Sequence, residues 1–154
     1  MERKHFYITL YSNASQKLYP DNTQASFTCH LAQPINLGSA SDWEVGLSEV
    51  SYYPPKRVVM FKNTVVDYIS TLNGLIYCDL IAPQFVGENK VRVIRPIIIW
   101  PATGIHLFQN IYYFPVEKSE FQDIRIEIRK LNGESPEFQT ADVPVKVILH
   151  FRRI

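Results

Sequence analysis

"FQDIRIEIRKLNG", residues 121–133, decides the fold class. Ile124, Ile126 and Ile128 alternate with Arg125, Glu127 and Arg129. Successive side chains of an extended chain point to opposite faces, so this spacing puts three β-branched apolar groups on one side and three charges on the other. Asn132-Gly133 follows, and both residue types tolerate the positive φ of a tight turn. The segment reads as a half-buried strand ending in a turn. Its charged face must look at water, a ligand, nucleic acid or another copy of the chain.

The same alternation recurs along the sequence. Phe6, Ile8 and Leu10 alternate with Tyr7, Thr9 and Tyr11, and Phe27, Cys29 and Leu31 alternate with Ser26, Thr28 and His30. Trp43, Val45 and Leu47 share a face before the apolar parity shifts to Val50 and Tyr52, which predicts a β-bulge. Val58 to Phe61 and Val65 to Ile69 flank Asn63-Thr64 as a short hairpin. Leu75 to Ile81, Lys90 to Trp100 and Ile105 to Val116 read as further strands. In the last, Val143 to Ile154, the residues Val143, Val145, Val147, Leu149 and Phe151 share a face, with Lys146, His150 and Arg152 on the other and Ile148 as the exception.

No segment sustains a helical period. Strands spaced by Pro, Gly and Asn along 154 residues predict an all-β protein: a single jelly-roll antiparallel β-sandwich of about eight strands, one domain over residues 1–154. Cys29, Trp43 and Cys78 do occur in immunoglobulin order. However, no Tyr lies two residues before Cys78, and several strands still follow it.

Composition narrows the function. A net charge of +1 lacks the basic excess of a protein that works by neutralising phosphates, which argues against nucleic acid as the main partner. The two cysteines lie inside apolar runs without the spacing of a disulfide framework and read as buried thiols. The N-terminal run is too short and too mixed for a signal-peptide core, so the Asn13-Ala14-Ser15 sequon is expected to go unused. The apolar stretch between Pro96 and Pro101 is far too short to span a bilayer.

Catalytic constellations are weak. Cys29 and His30 are adjacent on a strand and point to opposite faces, so they do not form a nucleophile and base. His5, His30, His106 and His150 are scattered without the spacing of a local metal site. Neither a Gly-rich phosphate loop nor a G-x-S-x-G elbow occurs. The carboxylates Asp42, Glu44, Glu49, Asp67, Asp79 and Asp123 sit mostly beside turns or opposite charges. No catalytic, cofactor-binding or metal-binding residue is assigned, no small-molecule substrate is expected, and the chain is read as a non-enzyme.

Surface patterning points to protein contact. Tyr112, Tyr113 and Phe114 are consecutive, so at least one ring must leave the core face, and Trp100 closes a run of isoleucines that cannot all point inward. Exposed aromatics flanked by arginine favour a protein interface. Trp100, Tyr112, Phe114, Arg125, Glu127 and Arg129 are the candidate subunit-interface residues. Lys56-Arg57 and Arg152-Arg153 read as solvated basic pairs.

"YPDNTQASFTCHLAQPINLGSASDWEVGLSEVSYYP", residues 19–54, resembles a pattern in proteins of Maverick or polinton transposons and adintovirus-like viruses. It comprises a Tyr-Pro-x-Asn-Thr loop, a strand ending near Pro, then Trp-Glu-Val-Gly/Ala-Leu. "LIYCDLIAPQFVG", "FQDIRIEIRKLNGESPEF" and "VKVILHFRR" resemble later blocks of that family. Such genomes encode a double jelly-roll major capsid protein and a single jelly-roll vertex protein, and this length has room for one roll. The resemblance implies a minor capsid (penton) subunit, a homopentamer at the fivefold vertices of an icosahedral virion with the double jelly-roll protein as neighbour. The alternative is a ligand-binding sandwich, lectin-like or receptor-binding, using the loops SNASQKLYPDN and Phe85 to Asn89.

Overall fold

The computed structural model describes residues 4–53, 58–61, 64–67, 72–99, 104–136, 138 and 143–154. Its strands are β1 (His5–Tyr11), β2 (Ser26–Asn36), β3 (Trp43–Ser51), β4 (Val58–Phe61), β5 (Thr64–Asp67), β6 (Leu72–Cys78) and β7 (Gln84–Val86). They continue with β8 (Asn89–Val91), β9 (Val93–Ile99), β10 (Ile105–Leu107), β11 (Tyr113–Pro115), β12 (Glu120–Lys130) and β13 (Lys146–Arg153). One sheet runs β1-β13-β3, with β10 and β11 both on the outer side of β3; the other runs β2-β12-β6-β9. All these pairings are antiparallel.

Counting β10 and β11 as two halves of one interrupted edge strand leaves four strands in each sheet, and the strand order is that of a jelly roll. The hairpins β4-β5 and β7-β8 are insertions before and after β6.

The core lies between the sheets and follows the sequence parity. Ile124, Ile126 and Ile128 from β12 meet Phe27 and Cys29 from β2, Ile76 and Cys78 from β6, and Val147, Leu149 and Phe151 from β13. The parity switch in β3 is real. Ile148 pairs with Glu49 and Leu149 with Leu47, so Ser48 is the extra residue, and Trp43, Val45, Leu47, Val50 and Tyr52 are all buried.

Several expected strands differ in extent. Leu75 to Ile81 is shifted to Leu72–Cys78, with a turn at residues 79–80. Lys90 to Trp100 breaks at Arg92, before which β8 belongs to a hairpin turning at Gly87, where φ is 61°. Ile105 to Val116 breaks after Phe108, whose N–H still reaches the Ser48 carbonyl at 3.0 Å; the chain then leaves the sheet edge, and Ile111 and Tyr112 lie across Gly46. A Cβ on that glycine would stand 2.6 Å from the Tyr112 carbonyl oxygen. Val143 precedes β13 and is exposed rather than sharing the buried face.

Candidate subunit interface

The charges of β12 first meet one another. Arg125 Nε donates to Glu127 Oε1 at 2.8 Å, and Arg129 Nε donates to Glu127 Oε2 at 2.9 Å. Burial alone would raise the Glu127 pKa, but hydrogen bonds and charge from Arg129 and Arg125 outweigh it and hold the carboxyl below its ordinary value. Arg125 also donates to Ser26 Oγ at 2.8 Å, tying the row to β2, and Arg129 donates to the Gly133 carbonyl at 3.3 Å beside the Asn-Gly turn.

Between this row and the β7-β8 hairpin runs an open groove of about 320 Å³, lined by Tyr77, Asp79, Lys90, Arg92, Arg125 and Glu127. Its ions are largely compensated: Arg92 pairs with Glu117 at 3.0 Å and Asp79 with Lys118 at 3.8 Å.

The aromatic candidates lie elsewhere. The Arg95 guanidinium of β9 lies 3.7 Å from the Tyr112 ring centre and 4.3 Å from that of Phe108, and donates to the Asn110 carbonyl at 2.7 Å. One arginine thus fastens the detour of residues 108–112 to the opposite sheet, leaving Tyr112 half-exposed. Phe114 is half-buried and packs on the core, and Tyr113 points outward. Trp100 lies outside the described residues, as do Lys56 and Arg57. The structure therefore brings Arg125, Glu127 and Arg129 together and keeps Tyr112 and Phe114 apart from them.

The two lateral edges of the sandwich are chemically unlike. On β2, the Asn22 side chain donates to the Thr28 carbonyl at 2.9 Å and accepts the Thr28 N–H at 3.0 Å, while Ser15 Oγ accepts the His30 N–H at 2.9 Å. The preceding loop thus satisfies backbone groups that an edge strand would offer to another chain. On the opposite edge, β9 and β10 carry Ile98, Ile105 and Leu107, which are 43%, 60% and 70% exposed.

Sequence reasoning missed a second polar cluster, on the outer face of the other sheet. Tyr113 Oη and His150 Nδ1 are 2.7 Å apart, His150 Nε2 and His5 Nδ1 are 3.1 Å apart, and Tyr7 stacks on His150 at 4.4 Å between ring centres. Arg152 pairs with Glu44 and lies over the Tyr113 ring at 3.5 Å. Burial, then the neighbouring His5 and Arg152, lower the His150 pKa. The outward parity of Tyr7 and His150 was the available signal. Their meeting depends on β1 pairing with β13, which local pattern does not give.

His30 turns away from Cys29 and bonds Asp123 at 2.8 Å, where Asp123 also accepts the Tyr19 hydroxyl at 2.7 Å. The Cys29 thiol donates to the Tyr11 carbonyl at 3.2 Å, and burial raises its pKa. Burial pushes Cys78 up to about 12. Neither thiol has the electropositive, accessible setting of a nucleophile. Glu44, Glu49, Asp42 and Asp79 are spoken for by Arg152, Lys146, Arg153 and Lys118. Among the described residues no group of three or more His, Cys, Asp or Glu is placed to hold a metal, and no helix is long and apolar enough to cross a membrane.

Of the loops assigned to a ligand-binding reading, residues 18–22 line a groove of about 360 Å³ with Thr28 and Arg125. The Phe85 to Asn89 segment forms most of the β7-β8 hairpin, with Phe85 76% exposed.

No family model matches the chain, and no curated protein sequence matches it. Among solved structures, the crystal structure of the mavirus penton protein is similar over 98% of this chain and 100% of that one. The TM-score is 0.62 at 6% sequence identity. At that identity the likeness is one of fold. It spans both sheets and agrees with the single jelly roll expected from the strand pattern.

Proposed function

We propose that this chain is a minor capsid subunit of the penton type, forming fivefold vertices beside a double jelly-roll major capsid protein, in a virion of the Maverick, polinton or adintovirus-like kind. The observation that carries the reading is the end-to-end match of one undivided roll to a penton protein, with neither chain leaving a domain unmatched. The motif resemblance across residues 19–54 and the later blocks supports it independently. The reading assigns the protein to structure rather than to catalysis.

Five copies closing into a ring must meet through two different surfaces, one presented by each neighbour. The unlike edges suit such a contact: exposed Ile98 on β9 and Ile105 and Leu107 on β10 on one side, and on the other the strand β2 sealed by its own polar loop. Tyr112, Phe114, Trp100 and the row Arg125, Glu127 and Arg129 remain the proposed contact residues. The test is co-production with the major capsid protein, followed by electron microscopy of the particles. Fivefold density matching this roll at the vertices is the expected result. Complete shells whose vertices lack it overturn the proposal.

A further inference from the structure

We propose that His5 and His150 form a surface binding site for a late first-row divalent cation, Zn²⁺ or a close relative. The geometry carries it. His5 Nδ1 and His150 Nε2 stand 3.1 Å apart on neighbouring strands, with ring planes at 81°. Two imidazole nitrogens bound to one tetrahedral zinc at about 2.0–2.1 Å would be about 3.3 Å apart. A small turn of either ring opens the present nitrogen-to-nitrogen contact onto a shared metal without moving the backbone.

The surroundings fit the same reading. A metal-binding histidine ordinarily donates its second ring N–H to a fixed acceptor, which sets the tautomer. His150 Nδ1 already faces Tyr113 Oη at 2.7 Å, and Gly46, paired with both His150 and Tyr113, adds no side chain between them. Binding needs both facing nitrogens free of protons, so the ring that carries the shared proton moves it to its other nitrogen; on His150 that nitrogen is Nδ1, whose N–H the Tyr113 oxygen accepts. Both imidazoles stay neutral and no net proton is released. Tyr7 stacks on the face of the His150 ring and so does not occupy the edge that meets His5. The neighbouring cation Arg152 is paired with Glu44.

Two protein ligands leave the remaining positions to water, and imidazole favours zinc, copper and nickel over magnesium or calcium. A bound ion would clamp the edge strand β1 onto β13. The site does not depend on the capsid reading.

The experiment is isothermal titration of tag-free protein with ZnCl₂, with MgCl₂ as the control. One-to-one zinc binding is expected, with no magnesium response. His5→Gln or His150→Gln should each weaken it at least tenfold, and Tyr113→Phe should weaken it several-fold at unchanged stoichiometry. His30→Gln and His106→Gln should bind as wild type does.

In parallel, zinc should shift or broaden the ring resonances of His5 and His150 in the wild-type protein and leave those of His30 and His106 in place. That measurement needs no variant to fold. No saturable binding, binding that survives both substitutions, or shifts confined to His30 or His106 would overturn the proposal.

Discussion

Reversing Arg125 and Arg129 to Glu separates two roles for the charged face of β12. The perturbation removes both ion pairs of Glu127, whose side chain is only 19% exposed, and breaks the Arg125 hydrogen bond to Ser26. Exposed pairs contribute about 0.2–1 kcal/mol each, and like charges cost a similar amount. The double variant should therefore lose about 2 kcal/mol, or about 4–8 °C of Tm for a chain of this size. Part of the loss should return in 0.5 M salt through screening.

Its pH dependence also has a defined sign. Without the arginines, the Glu127 carboxyl rises above its unfolded value, so the variant should regain stability on acidification and lose it as pH climbs through the folded-state pKa. A triple variant, Arg125→Glu with Glu127→Arg and Arg129→Glu, restores an alternating row with every sign reversed. It should recover most of the melting temperature.

Assembly then discriminates. If this face meets a neighbour, the triple variant melts normally but fills vertices poorly; if it meets only water, both properties recover together. The assays are differential scanning calorimetry and vertex occupancy by electron microscopy. A double variant that melts like wild type at low salt would refute the intrachain pairing from which the magnitude was worked.

Further perturbations test other parts of the structure. Gly46→Ala forces a methyl group toward the Tyr112 carbonyl and should cost about 1–3 kcal/mol in chemical denaturation; a neutral outcome would contradict the close crossing of Ile111 and Tyr112. Cys78 should resist a thiol reagent in native protein at pH 8 and react quickly in denaturant, because its pKa stands at about 12. Hydrogen bonds from Tyr19, then His30, hold the Asp123 pKa below its ordinary 3.8, so this pairing stabilises the fold above that pH and is lost as pH falls through the folded value. In Tyr19→Phe the folded-state pKa moves back toward 3.8, so the variant should be less stable than wild type at neutral pH and lose less of its stability on acidification. Asn22→Ala should expose the backbone of Thr28 and speed its amide exchange, with little change at Ile126.

The sandwich itself was legible because its strands are half-buried. Where one face is core and the other solvent, parity is written residue by residue, and even the Ser48 bulge shows as the step from Leu47 to Val50. The same logic failed for β7 and β8, three residues each, which are too short to display a period. It failed again at Ile105 to Val116, where the interruption comes from a glycine on another strand and from Arg95 on another sheet. The charged row on β12 was visible as a pattern, but its internal pairing was not; side-chain reach decides whether Glu127 looks sideways or outward. His5 and His150 are 145 positions apart, and only the topology joins them.

Chain order also sets when the molecule can fold. β12 and β13 occupy the middle of the two sheets, each paired on both sides, yet they come last in the sequence. At about 5–20 residues per second, β2 waits about 5–20 s on the ribosome for the strand that pairs with it. During that interval β1 and β2 have apolar faces and no strand partner, and β3 has only the short β10 and β11, so the core closes only once residues 120–153 are made. Fusions or truncations that disturb residues 120–153 should then fail as a whole, with insoluble product in place of a partly folded sandwich.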